Sequence, residues 1–346
     1  MKILHVLASN RFSGAENVVC QIIGMFRADP DVSVVYCSPD GQIREALDDR
    51  GVSFTPVTSL TFRQLRRVIK EHRPDIIHAH DMRAGFISAL AAGKVPVVSH
   101  IHGNFAGLNK ISFKSIAYYF ASLKFKHIFW VSTSSYDSYI FRKSASKKSS
   151  VLYNVIDTDA LFKKMILDEN AYNYDVVFLG RLCWEKNPER LMRVIDILIK
   201  SHPNVRVAVI GSGDYDGRVR EMAKELNIDK NVDFLGFVSN PLKILHDSKV
   251  MIMTSIREGT PMCALEAMTL GVPIVSTSTD GMKDLIDDGI TGFLSDDDHE
   301  LADKLAGVIF DTQKRSFMSE NSRKKSNVYN DLSIYTSKLK KVYNNK

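Results

Sequence analysis

Glu258-Gly259-Thr260-Pro261-Met262-Cys263-Ala264-Leu265-Glu266-Ala267-Met268 spans a loop-to-helix transition, with one carboxylate in the loop and one in the helix. Just upstream, Val250-Met251-Ile252-Met253-Thr254-Ser255 reads as a short buried strand. Pro261 suits the first helical turn, where its missing N–H costs nothing. Leu265 to Met268 continue the helix, and Gly271 with Pro273 ends it. The unit is therefore strand, loop, helix, with Glu258 at the carboxyl end of a strand, where open α/β sheets bind ligands. Glu266 follows about two turns later. The N–H groups of Met262, Cys263 and Ala264 belong to the helix start, which favours anions. A polyol carrying a phosphate would satisfy these groups together. A solvated loop Glu and a helix-surface Glu are the commoner meaning of such a pair taken alone, and the rest of the chain decides against it.

Strand and helix patterns alternate over the whole length, which predicts parallel sheets flanked by helices. The first series of strands is Ile3–Leu7, Ser33–Cys37, Ile76–His78, Val97–His100 and Ile128–Val131. The second is Asp175–Leu179, Val205–Ile210, Val232–Leu235, Val250–Thr254 and Pro273–Ser276. Residues 163–172 between them are polar and unpatterned, as a linker would be. The expected organisation is α/β with two doubly wound, Rossmann-like domains, over 1–165 and 173–325, facing a cleft. A helix over 326–346 carries Ile334, Tyr335, Leu339, Val342 and Tyr343 at helical spacing, and the first domain is its expected partner.

Two further strand ends carry phosphate chemistry. Gly180-Arg181-Leu182-Cys183-Trp184-Glu185-Lys186-Asn187 follows a strand, so Gly180 turns the backbone while Arg181 and Lys186 set two cations at its carboxyl end. Ile210-Gly211-Ser212-Gly213 is a glycine-rich turn that misses the full dinucleotide fingerprint, the third glycine falling at Gly217. Each loop alone is weak: basic strand-end loops are mostly surface, and paired glycines often only relieve packing. Together with Glu258 and Glu266 they make a site for a nucleoside diphosphate, whose base the Gly236-Phe237-Val238 loop can cover.

The chain has 346 residues, 45% hydrophobic and 25% charged, which suits a soluble globular protein of two domains. No apolar run approaches the ~20 residues that span a bilayer. Cys20, Cys37, Cys183 and Cys263 show no metal or redox spacing, so reduced thiols and a cytoplasmic location are expected. The net charge of +6 is uneven: residues 1–168 hold 22 Lys/Arg against 14 Asp/Glu. Most of the excess lies in 105–150, where eight Lys/Arg face only Asp137 and alternate with aromatics including Phe113, Tyr118, Phe120 and Trp130. That stretch reads as solvated helices with core aromatics, as a patch for an anionic membrane surface, or, least well, as a nucleic-acid surface, for which no binding module is present.

Along nearly its whole length the chain resembles the retaining glycosyltransferases of family 4, which have the GT-B architecture. The resemblance rests on Ser13-Gly14-Ala15-Glu16, Asp75-Ile76-Ile77-His78-Ala79-His80 and Ser99-His100-Ile101-His102-Gly103 in the first half. In the second it rests on Gly180-Arg181 with Glu185-Lys186-Asn187, Gly211-Ser212-Gly213, the Glu258-to-Glu266 segment, and Asp284-Leu285-Ile286 with Gly289-Ile290-Thr291-Gly292-Phe293-Leu294. It implies a catalytic set of His102, Arg181, Lys186 and Glu258. Arg181 and Lys186 would neutralise the donor diphosphate, helped by N–H groups near Gly14 and Met262. Glu258 would hold hydroxyls of the transferred sugar, Glu266 those of the ribose, and His102 would meet the donor across the cleft. Gly14, Gly180, Gly211, Gly213, Gly236, Phe237, Gly259, Thr260, Pro261, Met262, Cys263 and Glu266 complete the donor-binding set.

The resemblance further implies a retaining, metal-independent hexosyltransferase in surface polysaccharide assembly. Its donor would be a UDP-sugar bound by the second domain, and its acceptor a saccharide or lipid-linked saccharide bound by the first. The enzyme would lie at the inner face of the membrane, touching it through 105–150, with no nucleic acid partner and no cofactor. Fixed cations around a departing diphosphate lower the barrier without a metal. Asp29-Pro30-Asp31, Asp157-Thr158-Asp159 and Asp296-Asp297-Asp298 are read as solvated loops, and His78, His80 and His100 as structural, since a zinc site would need a Cys or carboxylate at ligand spacing. Tyr153-Asn154-Val155, Thr279-Asp280-Gly281 and Asp284 depart from the family's commoner residues without touching the phosphate set. The rivals are a sugar-nucleotide epimerase of the same fold, a nicotinamide-dependent oxidoreductase, and a carbohydrate-binding protein without activity.

Overall fold

The computed structural model describes residues 1–103 and 107–345, so the first two residues of the basic 105–150 stretch and Lys346 lie outside the described residues. The chain forms two compact units, Met1–Asn154 with Leu332–Lys346, and Val155–Asp331.

The first unit is a seven-stranded parallel sheet: β1 (Lys2–Val6), β2 (Ser33–Pro39), β3 (Phe54–Val57), β4 (Ile76–His80), β5 (Val97–Ile101), β6 (Phe125–Trp130) and β7 (Ser149–Val151), in the order β3-β2-β1-β4-β5-β6-β7. The second has six: β8 (Val176–Leu179), β9 (Val207–Ile210), β10 (Val232–Gly236), β11 (Val250–Met253), β12 (Ile274–Ser276) and β13 (Gly292–Leu294), in the order β10-β9-β8-β11-β12-β13. Both orders reverse direction at the first strand, between β1 and β4 and between β8 and β11, which is where doubly wound sheets bind ligands. The central strands are apolar on both faces because helices cover both, so Val176-Val177-Phe178 and Val250-Met251-Ile252-Met253 are buried without alternation. Helix Pro188–Ser201 supplies Val194, Ile195 and Leu198 to the core of the second unit, and helix Asp298–Phe310 supplies Leu301, Leu305 and Val308.

The unit boundary differs from the expected one. Residues 155–172 are no free linker. Asp157 caps a helix, Thr158–Met165, by accepting from the Ala160 N–H at 2.9 Å. That helix is fastened to the second unit by Lys164 Nζ donating to the Ser239 carbonyl and Asn240 Nδ2 donating to that of Lys164. Ile156 N–H donates to Asn330 Oδ1 at 2.8 Å. Of residues 163–172, which resembled a linker, the first three end this helix, and the rest run on to Tyr172, whose N–H donates to Asp247 Oδ2 at 3.2 Å.

The tail likewise splits earlier than a single helix over 326–346. Helix Thr312–Tyr329 belongs to the second unit, through Ser326 Oγ and Thr269 Oγ1 at 2.8 Å and Arg323 Nη2 donating to the Leu270 carbonyl. Helix Leu332–Asn344 belongs to the first unit. There Leu339 is buried, Lys340 pairs with Asp29 at 2.7 Å, and the Tyr343 hydroxyl meets His78 Nδ1 at 2.6 Å.

Candidate functional site

In the second unit the chemistry gathers at the carboxyl ends of β8, β9 and β11. After β8 the backbone runs through Gly180 and Arg181 to a short turn at Trp184–Lys186, closed by Asn187 in the left-handed region. Gly211, at φ +132, and Gly213 lie against this segment so closely that a Cβ would stand 1.9 Å from the Gly180 carbonyl oxygen and 2.3 Å from that of Leu182. These two glycines are thus required by the contact of two backbones, sealed by Leu182 N–H donating to the Ser212 carbonyl at 3.1 Å. Gly180 itself has ordinary room for a side chain. Gly236 accepts from the Gly211 N–H at 2.7 Å, and Phe237 beyond it is 70% exposed.

The β11 loop is tied to the β8 loop from beneath. Thr254 Oγ1 donates to the carbonyls of Lys186 and Asn187 at 3.1 Å, and Ile256 N–H donates to that of Glu185 at 2.8 Å. This brings Lys186 Nζ to 2.6 Å from Glu258 Oε1, which also accepts from Ser255 Oγ at 2.6 Å. Both side chains are largely buried, 17% and 10% exposed. Burial opposes the Lys186 charge, but Glu258 and the neighbouring Cys263 and Cys183 outweigh it and raise the ammonium above its ordinary range. With both donors on Oε1, Glu258 Oε2 keeps its full accepting capacity.

Gly259, Thr260 and Pro261 lead into the helix Met262–Leu270, whose cap is Pro261 itself, one position before the expected helical turn. Ala264 N–H bonds back to the Pro261 carbonyl at 3.1 Å, so among the described residues Met262 and Cys263, not all three, present unpaired N–H groups. Burial lifts the Cys263 thiol to about 11, with Lys186 pulling down and Glu258 and Glu266 pushing further up, which places Cys263 between the two carboxylates. Glu266 makes no hydrogen bond or ion pair among the described residues, and burial raises it to about 7 against a smaller pull from Lys164. Arg181 is exposed.

Sequence reasoning passed over Ser255, Thr254 and Gly281. A Cβ at Gly281 would stand 1.5 Å from the Gly259 carbonyl oxygen, so only glycine lets the Glu258 loop sit where it does. Its Thr-Asp-Gly context was visible, but the close approach was not.

In the first unit Gly14 opens the helix Gly14–Phe26, with the Ser13 hydroxyl donating to Glu16. His102 follows β5. Its N–H donates to Asp81 Oδ1 at 3.1 Å, its Nε2 meets His80 Nδ1 at 2.8 Å, and burial lowers it to about 3. Asp81, at φ +68, is an unexpected member: burial raises it to about 7, the His102 N–H lowers it and Glu16 adds to the rise. Gly14 and His102 thus belong to the first unit and the other candidate residues to the second.

Asp157 and Asp297 cap helices, Asp29 pairs with Lys340, and Asp298 pairs with Arg190 and Arg193. The histidines differ from expectation: His5, His78 and His80, and also His80, His100 and His102, bring ring nitrogens within 4.8 Å of one another. Adjacent parallel strands thereby supply three imidazoles at once, with no Cys or carboxylate.

Residues 161–325 match the family Glycosyl transferases group 1, and residues 12–160 match Glycosyltransferase Family 4. The chain is a glycosyltransferase. It is 25% identical over 383 residues to the UDP-Gal:alpha-D-GlcNAc-diphosphoundecaprenol alpha-1,3-galactosyltransferase of Escherichia coli, covering 99% of this chain and 96% of that one. It is also 25% identical to the uncharacterized glycosyltransferase MJ1059 of Methanocaldococcus jannaschii, over 62% of this chain and 58% of that protein. The crystal structure of Anabaena Alr3699/HepE in complex with UDP-glucose superposes with a TM-score of 0.85 at 22% identity, covering 99% of this chain and 98% of that chain. The fold of this glycosyltransferase is therefore GT-B, with two Rossmann-like parallel sheets.

Proposed function

We propose that this glycosyltransferase moves a sugar from a UDP-sugar to a lipid-linked saccharide during surface polysaccharide assembly, retaining the anomeric configuration and using no catalytic metal. The observation that carries the reading is Lys186 held on Glu258 Oε1 beside the unpaired N–H groups of Met262 and Cys263. Lys186 stays charged because a carboxylate neighbours it, so a fixed cation is ready for the diphosphate as it leaves. Arg181 adds a second, exposed cation. Glu258 Oε2 is an acceptor for sugar hydroxyls, and Glu266, with no hydrogen bond among the described residues, for those of the ribose. The first unit, which carries His102, binds the acceptor. The leaving phosphate takes the acceptor proton on the same face of the sugar, so no carboxylate is committed as nucleophile. The UDP-galactose donor and diphosphoundecaprenol acceptor in the name of the Escherichia coli relative support this choice of substrates.

A membrane contact completes the proposal. The 105–150 region divides in two: Tyr118, Phe125, Phe129, Trp130 and Tyr139 are core. Helix Phe113–Ser122 and its flanks instead expose Ile111, Phe113 (87%), Phe120 and Leu123 among Lys110, Lys114 and Lys124. Apolar anchors among cations suit the inner, anionic face of a membrane. Among the described residues no helix is long and apolar enough to cross one.

The test is turnover in EDTA with UDP-sugars and a diphosphoundecaprenol-linked saccharide. Acceptor-dependent release of UDP supports the reading. Donor isomerisation without acceptor would favour the epimerase instead.

A further inference from the structure

Ser255 and Glu258 stand three residues apart, the spacing of a capping box, in which the Ser would accept from the amide of the residue three further on. No helix follows here: β11 ends at Met253 and the next helix begins at Met262. The Ser255 hydroxyl instead donates to Glu258 Oε1 at 2.6 Å, the same oxygen that Lys186 Nζ meets at 2.6 Å. Ser255 is 2% exposed, so water hardly competes for that hydroxyl.

The two donors differ in stiffness. The last torsion of a Glu side chain is broad, so its partners rather than a rotamer set the plane of the carboxylate. Lys186 carries three rotatable N–H donors on a four-carbon stem, and such a contact fixes a distance better than a direction. Held by Lys186 alone, the carboxylate is free to turn and offer either oxygen. Ser255 has a single side-chain torsion, and its backbone is tied down. Its carbonyl accepts from Thr277 Oγ1 at 2.6 Å, while the Thr277 N–H donates to the Met253 carbonyl at 3.0 Å. Its neighbour Thr254 holds the other partner, through the Lys186 and Asn187 carbonyls. Two successive residues at the end of β11 thus fix the backbone that carries the cation and the oxygen that receives it.

We infer that Ser255 is a positioning residue that sets the plane of the Glu258 carboxylate and reserves Oε2 for hydroxyls of the sugar, with Thr277 holding Ser255 in place. The inference rests on the reading of Glu258 as the group that meets the transferred sugar. It concerns the orientation of that sugar and not the grip on the nucleotide. Lys186 and the N–H groups of Met262 and Cys263 remain when the hydroxyl is gone. A sugar misplaced by a turned carboxylate loses rate while the diphosphate stays bound.

The test combines steady-state kinetics, with UDP-galactose or UDP-glucose as donor, and calorimetry of UDP in EDTA. Ser255→Ala should lower kcat/KM for the donor about tenfold, the worth of one ordinary hydrogen bond, and leave the affinity for UDP unchanged. UDP affinity falling in step with activity would make Ser255 a prop of the whole loop and overturn the inference, as would wild-type kcat/KM. In Glu258→Ala the added change Ser255→Ala should cost nothing, because the hydroxyl has no carboxylate left to hold; additive losses would overturn the inference. Thr277→Val keeps the shape and removes the hydroxyl, a second reading that does not depend on Ser255→Ala folding. It should lower kcat/KM in the same sense with UDP binding intact, and wild-type kinetics would overturn the role given to Thr277. If Glu258→Ala is itself as active as the wild type, the reading of Glu258 fails and the inference with it. If Glu258→Ala is impaired and Ser255→Ala is not, the role of Ser255 alone fails.

Discussion

The histidine cluster should make the first unit acid-labile above the pH at which most domains begin to fail. Burial pushes His5, His78, His80, His100 and His102 below the ordinary 6.5, His5 and His102 to about 3. Unfolded, each titrates near 6.5. Between those values the unfolded chain binds protons that the folded chain refuses, so stability is complete above about 6.5 and falls as the pH drops towards 3. Each such histidine removes roughly 1 kcal/mol per pH unit. Asp81 acts in the opposite sense: raised to about 7, it binds its proton earlier when folded and adds stability as the pH falls from 7 towards 4. His127, which burial lowers to about 4, makes a sixth group, and six against one leave a net loss of roughly 5 kcal/mol per pH unit, set against a domain stability of about 5–15 kcal/mol. Urea unfolding followed by the fluorescence of buried Trp130, in a Trp184→Phe background, should show the midpoint dropping steeply from pH 7 to 5.5. His100→Phe, which removes one imidazole from the cluster, should flatten that slope by about a fifth. A midpoint that stays constant over this range, or an unchanged slope in His100→Phe, would refute the reasoning.

Lys186→Met should lower kcat at least about a hundredfold and destabilise the second unit by about 3 kcal/mol, because it strips a buried carboxylate of its cation. Steady-state kinetics and thermal melts check both effects. Gly281→Ala should cut activity by more than about tenfold with little loss of fold, since the new methyl must push the Glu258 loop aside; a crystal structure of the variant should show the Gly259 carbonyl displaced. Replacing Ile111, Phe113 and Phe120 by Ser should abolish sedimentation with anionic vesicles and leave turnover of a water-soluble acceptor analogue unchanged; equal sedimentation would dismiss the membrane contact.

Much of this was legible in sequence because strands such as Val176–Leu179 and Val207–Ile210 are apolar runs that stop at Gly180 and Gly211. All ten expected strands exist, with ends that coincide or shift by at most three residues. β3, β7 and β13 escaped because they are edge or short strands, one holding Pro56, one built from Ser149 and Ser150, and one starting at Gly292. The Lys186–Glu258 contact joins residues whose types were informative but whose meeting depends on Thr254 and Ile256 tying two loops together, which no spacing reveals. Gly211 and Gly213 looked like ligand-cradling residues, and their tightest constraint is a neighbouring backbone. The histidine cluster was written in the alternation of His78 with His80 and of His100 with His102. Register was needed to see that the strands lie side by side and that His5 joins it.

The central claim is a metal-independent nucleotide site in the second unit, and calorimetry tests it most directly. UDP, GDP and ADP would each be titrated in EDTA into the wild type and Glu266→Ala. The account expects UDP to bind in preference to the other two, with about tenfold weaker binding when the carboxylate at Glu266 is gone. No binding without a divalent ion, or equal affinity in Glu266→Ala, would contradict it.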